Sequence, residues 1–135
     1  MGYELNITRA EHWSRNTGRE ISREEWIAII DSDSELQRDG ILWSRHLGAV
    51  WTSHPKGEPL FHYWRGNVVV NNPDRLTVDK MIRIARRLKA EVQGKNGEIY
   101  AKEGSDPITR TRQRLRKLVS RFRDIDTGEL AAGDS

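Results

Sequence analysis

The stretch Leu60-Phe-His-Tyr-Trp64-Arg-Gly66-Asn67-Val-Val-Val-Asn71-Asn72-Pro-Asp74, continued by Val78, Met81, Ile82, Ala85 and Leu88, decides the fold class. Two short β-rich runs meet at Arg65-Gly66 and read as a tight hairpin. Asn72 can cap the helix that follows, with Pro73 at its first position, where a missing N–H costs nothing. The apolar residues from Val78 to Leu88 share one face of that helix, opposite Asp79, Arg83 and Arg86. Arg86, Arg87 and Lys89 load its last turn with the sign its dipole favours.

Outward from this centre, Tyr3 to Thr8 alternates, with Tyr3, Leu5 and Ile7 on one face and Glu4, Asn6 and Thr8 on the other. That is the period of a half-buried strand. Ser22 and Glu25 fit a capping box, with Ile21 and Trp26 placed as a hydrophobic staple. The helix they open draws on Trp26, Ile27, Ile29 and Ile30 and fades in Asp31-Ser-Asp-Ser34, whose short polar side chains compete for the backbone. Leu47 to Thr52 reads as a further strand, ended by Ser53-His-Pro-Lys-Gly57. Ala90–Gln93 and Glu98–Tyr100 flank Gly94-Lys-Asn-Gly97, a second hairpin. The expected class is α+β: a mostly antiparallel sheet of about four to six strands with two helices packed on one face.

Residues 1–109 hold 16 basic and 16 acidic side chains, whereas Arg110 to Arg123 hold seven basic residues and no acid. The net charge of +3 is therefore the property of one segment. A compact domain over 1–104 is expected, then a basic amphipathic helix over 105–123, capped by Asp106 and opened by Pro107, then an acidic tail over 124–135. Ile108, Leu115, Leu118, Val119 and Phe122 form the helix's apolar stripe; Arg110, Arg114, Lys117 and Arg121 project from its far side. The absence of cysteine excludes a disulfide framework and thiolate metal sites. No apolar run approaches the roughly 18 residues a membrane span needs, and the N-terminus shows no signal-peptide core, so a soluble cytoplasmic protein is expected.

Five blocks, taken in order, resemble a family. They are Tyr3-Glu-Leu-Asn-Ile-Thr-Arg-Ala-Glu-His-Trp13, Glu20-Ile-Ser-Arg-Glu-Glu-Trp26, Asn72-Pro-Asp74, Met81-Ile-Arg-Ile-Ala85, and Val92-Gln-Gly94 with Gly97-Glu-Ile-Tyr100. The family is a set of small, largely uncharacterised bacterial proteins similar to the immunity-like and accessory proteins found beside secreted toxins. The resemblance covers about the first 100 residues, carries no catalytic residue with it, and leaves the basic segment outside. It implies a protein partner, a bacterial toxin.

Reactive constellations are sparse. Glu11-His12 is the one place where a carboxylate adjoins a histidine and could tune it for proton transfer. His46, His54 and His62 could meet in space, but no zinc spacing is present and alternation makes His62 a half-buried strand residue; no metal or cofactor is expected. Gly94-Lys-Asn-Gly97 opens no helix, so it does not cradle a phosphate. Among the five tryptophans, Trp26 and Trp64 fit core positions. Trp13, Trp43 and Trp51, with Arg65, are the candidate partner-binding residues, since tryptophan and arginine dominate interface hot spots and also stack on nucleic-acid bases. The basic helix reads three ways: a solvated face, a phosphate contact whose affinity would fall with salt, or a docking helix. The function expected first is a non-catalytic binding protein that neutralises or chaperones a toxin by covering its surface. A nucleic-acid-binding module comes second, and a small enzyme using His12 and Glu11 third.

Overall fold

The computed structural model describes residues 3–104 and 106–108. Ten elements follow one another: β1 (Glu4–Thr8), α1 (Arg23–Ser32), β2 (Leu36–Arg38), α2 (Trp43–His46), β3 (Ala49–Trp51), β4 (Leu60–Trp64), β5 (Asn67–Asn71), α3 (Arg75–Arg87), β6 (Glu91–Gln93) and β7 (Ile99–Tyr100). The strands form one seven-stranded sheet in the order β2-β3-β4-β5-β1-β6-β7. Every described pairing is antiparallel. The fold is therefore α+β, with more strands than the sequence suggested. The extra strand is β2, three residues too short for alternation to show, which pairs Leu36 with Trp51.

Alternation sorts the side chains onto two faces. Leu5 and Ile7, Phe61, Val68 and Val70, and Val92 share a core with Trp26, Ile29 and Ile30 of α1, with Met81, Ile82 and Ala85 of α3, and with Leu88 at its C-cap. Ser22 caps α1, its hydroxyl accepting from Glu25 N–H while the Glu25 carboxylate accepts from Ser22 N–H. Arg9 clamps the same carboxylate at 2.8 and 2.5 Å and donates to the Leu88 carbonyl, so one guanidinium ties the end of β1 to both helices.

Three local expectations need correction. The cap of α3 is Asp74, whose carboxylate accepts from Thr77 N–H; Asn72 instead closes the end of β5 against Tyr3, with φ of 49°. A carboxylate is a stronger acceptor for the unpaired N–H groups of a first turn than a carboxamide, and it also complements the dipole. Secondly, β1 is not half-buried: Leu5, Asn6, Ile7 and Thr8 are all buried, because the loop after the strand folds back over its second face. Thirdly, Ile108, expected on the apolar stripe of a helix, forms an antiparallel bridge with Ile99. The remainder of the expected basic helix lies outside the described residues. Among those described, no helix is long and apolar enough to cross a membrane.

Candidate functional site

The second face of the sheet is where polar chemistry collects. One row runs across four strands through the paired positions Gln93, Asn6, Val69 and His62. Gln93 is fully buried, and its carboxamide pins the loop after β1. It donates to the carbonyls of Ala10 and Glu11 at 3.1 and 3.2 Å and accepts from Trp13 N–H at 2.9 Å. Farther along, Asn67 donates to the Trp13 carbonyl, and Asn16 donates to the Arg65 carbonyl and to Asn67 Oδ1. The loop becomes one wall of a trough of about 320 Å³, with Asn6, Val69 and His62 on its floor and Trp13, Trp64 and Arg65 along its sides.

Two polar groups in this trough are not spent on the fold. Asn6 is 4% exposed, yet its carboxamide has no hydrogen-bond partner among the described residues. The His62 imidazole likewise has none; the His46 ring stands near it, centroids 6.2 Å apart. Burial first, and His46 second, push the His62 pKa below the ordinary histidine value against the opposing pull of Glu4, so the ring is neutral at pH 7.

Trp64 corrects a sequence expectation. Its hydrophobicity fits a core position, but it is 49% exposed at the end of β4. The Arg65 guanidinium lies 5.3 Å from its ring centroid, and the His46 ring is 5.8 Å away, tilted against it. Arg65 and Gly66 form the two-residue turn between Trp64 and its partner Asn67, with φ of 50° and 81°. Both positive angles suit Asn-Gly; arginine pays a steric penalty there. Gly66 has a second reason to be glycine, since a Cβ would come within 2.6 Å of Glu20.

The other candidates scatter. Trp13 lies beside the trough, its indole N–H donating to the Lys95 carbonyl at 3.0 Å. Trp43 is half-buried, with Arg38 stacked 4.2 Å above it, away from the trough lining. Trp51 is a core residue, 5% exposed, whose indole N–H donates to Glu35. That carboxylate and Asp33 also hold the buried ammonium of Lys80, at 2.9 and 2.7 Å. The three central histidines do not meet: His54 turns to Asp74 Oδ2 at 2.7 Å and packs edge-on to Trp51. No group of three or more potential metal ligands occurs among the described residues. Nδ1 of His12 accepts from the backbone N–H of Ser14, and the ring stacks on Trp13. Arg110, Arg114, Lys117 and Arg121 lie outside the described residues.

No family model, curated protein or solved structure matches this chain. What the trough does is therefore argued from its geometry. The signal for Arg65 was legible as an Arg-Gly turn. That for Asn6 was not, because alternation assigns it to solvent and only the folded-back loop buries it.

Proposed function

We propose that the protein is a non-catalytic binding protein of the immunity or accessory kind, which neutralises or chaperones a toxin by laying the second face of its sheet on it. The carrying observation is Trp64, half exposed on that face with Arg65 stacked beside it. A large aromatic and an arginine on a rigid hairpin are the residue types that dominate binding energy at interfaces, because both present broad planar surface with little entropy left to lose. Arg65 also keeps a costly backbone angle that asparagine would relieve, as residues at binding sites often do.

The test is co-expression with the products of neighbouring genes. Wild-type protein is expected to restore growth against a toxic neighbour and to co-purify with it. The Trp64→Ala, Arg65→Ala double variant is expected to lose both while keeping its melting temperature. Absence of any toxic neighbour, of protection and of a complex would overturn the reading.

A second reading rests on the run from Arg110 to Arg123, seven basic residues without an acid. Nucleic-acid binding through it predicts that affinity falls with salt, with a log–log slope of about −3 to −4 if four phosphates are neutralised. Duplex DNA and RNA titrations at several salt concentrations decide it.

A further inference from the structure

We infer that the trough on the second face is a binding site for a nucleobase, taken as the free base or nucleoside or as one base of a single strand, held by the Asn6 carboxamide and stacked against Trp64. This goes beyond the reading of the same face as a partner surface and does not depend on it. Three observations carry it.

The first is the unpartnered pair. Buried polar groups are almost always hydrogen-bonded, and the exceptions call for an explanation. Asn6 is buried in a central strand with its amide unspent, while Gln93 beside it in the same row is bonded through both ends of its amide. A carboxamide presents an N–H donor beside a carbonyl acceptor in a single plane. Its complement is a planar edge with an acceptor beside a donor, the pattern that lets Asn or Gln read adenine. Neutral His62 offers a further donor and acceptor.

The second is spacing. Asn6 and His62 flank Val69, one on each neighbouring strand. Two strand separations put their backbones about 10 Å apart. Side chains rising from backbones at that spacing stand on either side of one ring system laid over the apolar Val69 side chain.

The third is the wall. Trp64 presents an exposed indole at the mouth, and base–aromatic stacking is the common partner of edge recognition in single-stranded nucleic acids. A trough of about 320 Å³ falls at the small end of ligand pockets. Its lining holds one base, Arg65, and one acid, Glu4, so it does not favour an anionic phosphate. An uncharged base or nucleoside fits it better than a nucleotide.

The experiment titrates adenosine, cytidine, guanosine and uridine into the full-length chain. Tryptophan fluorescence and amide chemical shifts are read together, with ribose as control. At least one nucleoside is expected to saturate, perturbing residues around Asn6 and His62 while ribose does not. Asn6→Leu is expected to weaken that binding about 5- to 150-fold, the worth of one bidentate pair. Trp64→Ala, at an exposed position, is expected to weaken it without unfolding the protein. A parallel titration with a short single-stranded oligonucleotide separates the sources: equal affinity per base points to the free ligand, much tighter binding to the single strand. Failure of all four nucleosides and the oligonucleotide to saturate at millimolar concentration would overturn the inference. So would ribose binding equally well, unchanged affinity in Asn6→Leu, or ordered water alone on the Asn6 amide in a crystal soaked with nucleoside. Co-purification of a toxin is scored separately, so either proposal can fail while the other stands.

Discussion

Replacing Asn6 with Leu is expected to make the protein more stable. Both side chains branch at Cγ, so the change replaces a planar carboxamide by a larger, tetrahedral isopropyl group that the trough beside it can accommodate. Asn6 is 4% exposed and its amide has no partner among the described residues, so folding removes most of its surface from solvent and returns no hydrogen bond from those residues. Leaving such a group unsatisfied costs about 1–3 kcal/mol. Leucine removes that cost and adds apolar contact with Val69, so a gain of about 1–2 kcal/mol is expected, or roughly 4–8 °C in melting temperature for each kcal/mol in a domain of this size. Gln93→Leu is the control at the paired position on the next strand. Its carboxamide holds the carbonyls of Ala10 and Glu11 and the Trp13 N–H, so its loss should cost about 2 kcal/mol or more. Urea unfolding followed by far-ultraviolet circular dichroism reads both without relying on tryptophan emission. Opposite signs are expected at two neighbouring carboxamides. Destabilisation of Asn6→Leu by 1 kcal/mol or more, on the order of one hydrogen bond, would refute the reasoning, because the amide would then be satisfied by water or by the fold.

Further outcomes follow from other sites. Arg65→Asn should stabilise by up to about 1 kcal/mol by relieving the positive φ, measured by the same unfolding curves, while weakening partner binding. Lys80→Ala should destabilise by about 3 kcal/mol, because it leaves the Asp33 and Glu35 carboxylates facing each other without their cation; thermal unfolding checks it. The His62 pKa is lowered from 6.5 in the folded state, so the unfolded chain takes up protons first and stability should fall as pH drops below about 6.5. His62→Gln should remove that part of the slope, leaving His46 and Glu4 in place. Glu25 and Asp74 are each held down to about 2, by Arg9 and by Thr77 respectively before all other causes. Their contribution is present above the ordinary carboxylate range and is lost as pH falls from there toward 2, which acid titration of wild type against Glu25→Gln measures.

Much of the scaffold was written in local patterns. Ser22 and Glu25 announced the start of α1 because both partners of a capping box lie within one turn. The run from Leu60 to Asn71 announced a hairpin because its strands touch in sequence. What escaped notice depends on contacts between distant segments. β2 has too few residues to show a period, and it exists because Leu36 finds Trp51. Trp64 reads as a core residue from hydrophobicity alone, and only its place at the exposed end of β4 shows otherwise. Lys80 lies among apolar neighbours on α3, and no local rule buries a lysine; Asp33 and Glu35, more than forty residues earlier, make it tolerable. Asn6 escaped for the same reason, since the loop that covers it is fixed by Gln93 from the far side of the sequence.

The placement of the exceptions is itself informative. A sequence that folds well satisfies local propensity, patterning and polar pairing together, and breaks with them tend to mark function. Lys80 and Gln93 are buried polar residues, but both are fully engaged and hold the fold together. Leu47 and Lys89 have positive φ, yet each ends a helix, where that geometry closes the last turn, and Asn72 is of the residue type that tolerates it best. Tyr3, Ile41 and Leu76 are exposed apolar side chains at other places; four further departures share one place: an unpaired buried amide at Asn6, a desolvated imidazole at His62, a half-exposed indole at Trp64 and a non-glycine left-handed turn at Arg65. All four lie on one face within one trough. Their convergence is the physical reason to look for a ligand there before anywhere else in the molecule.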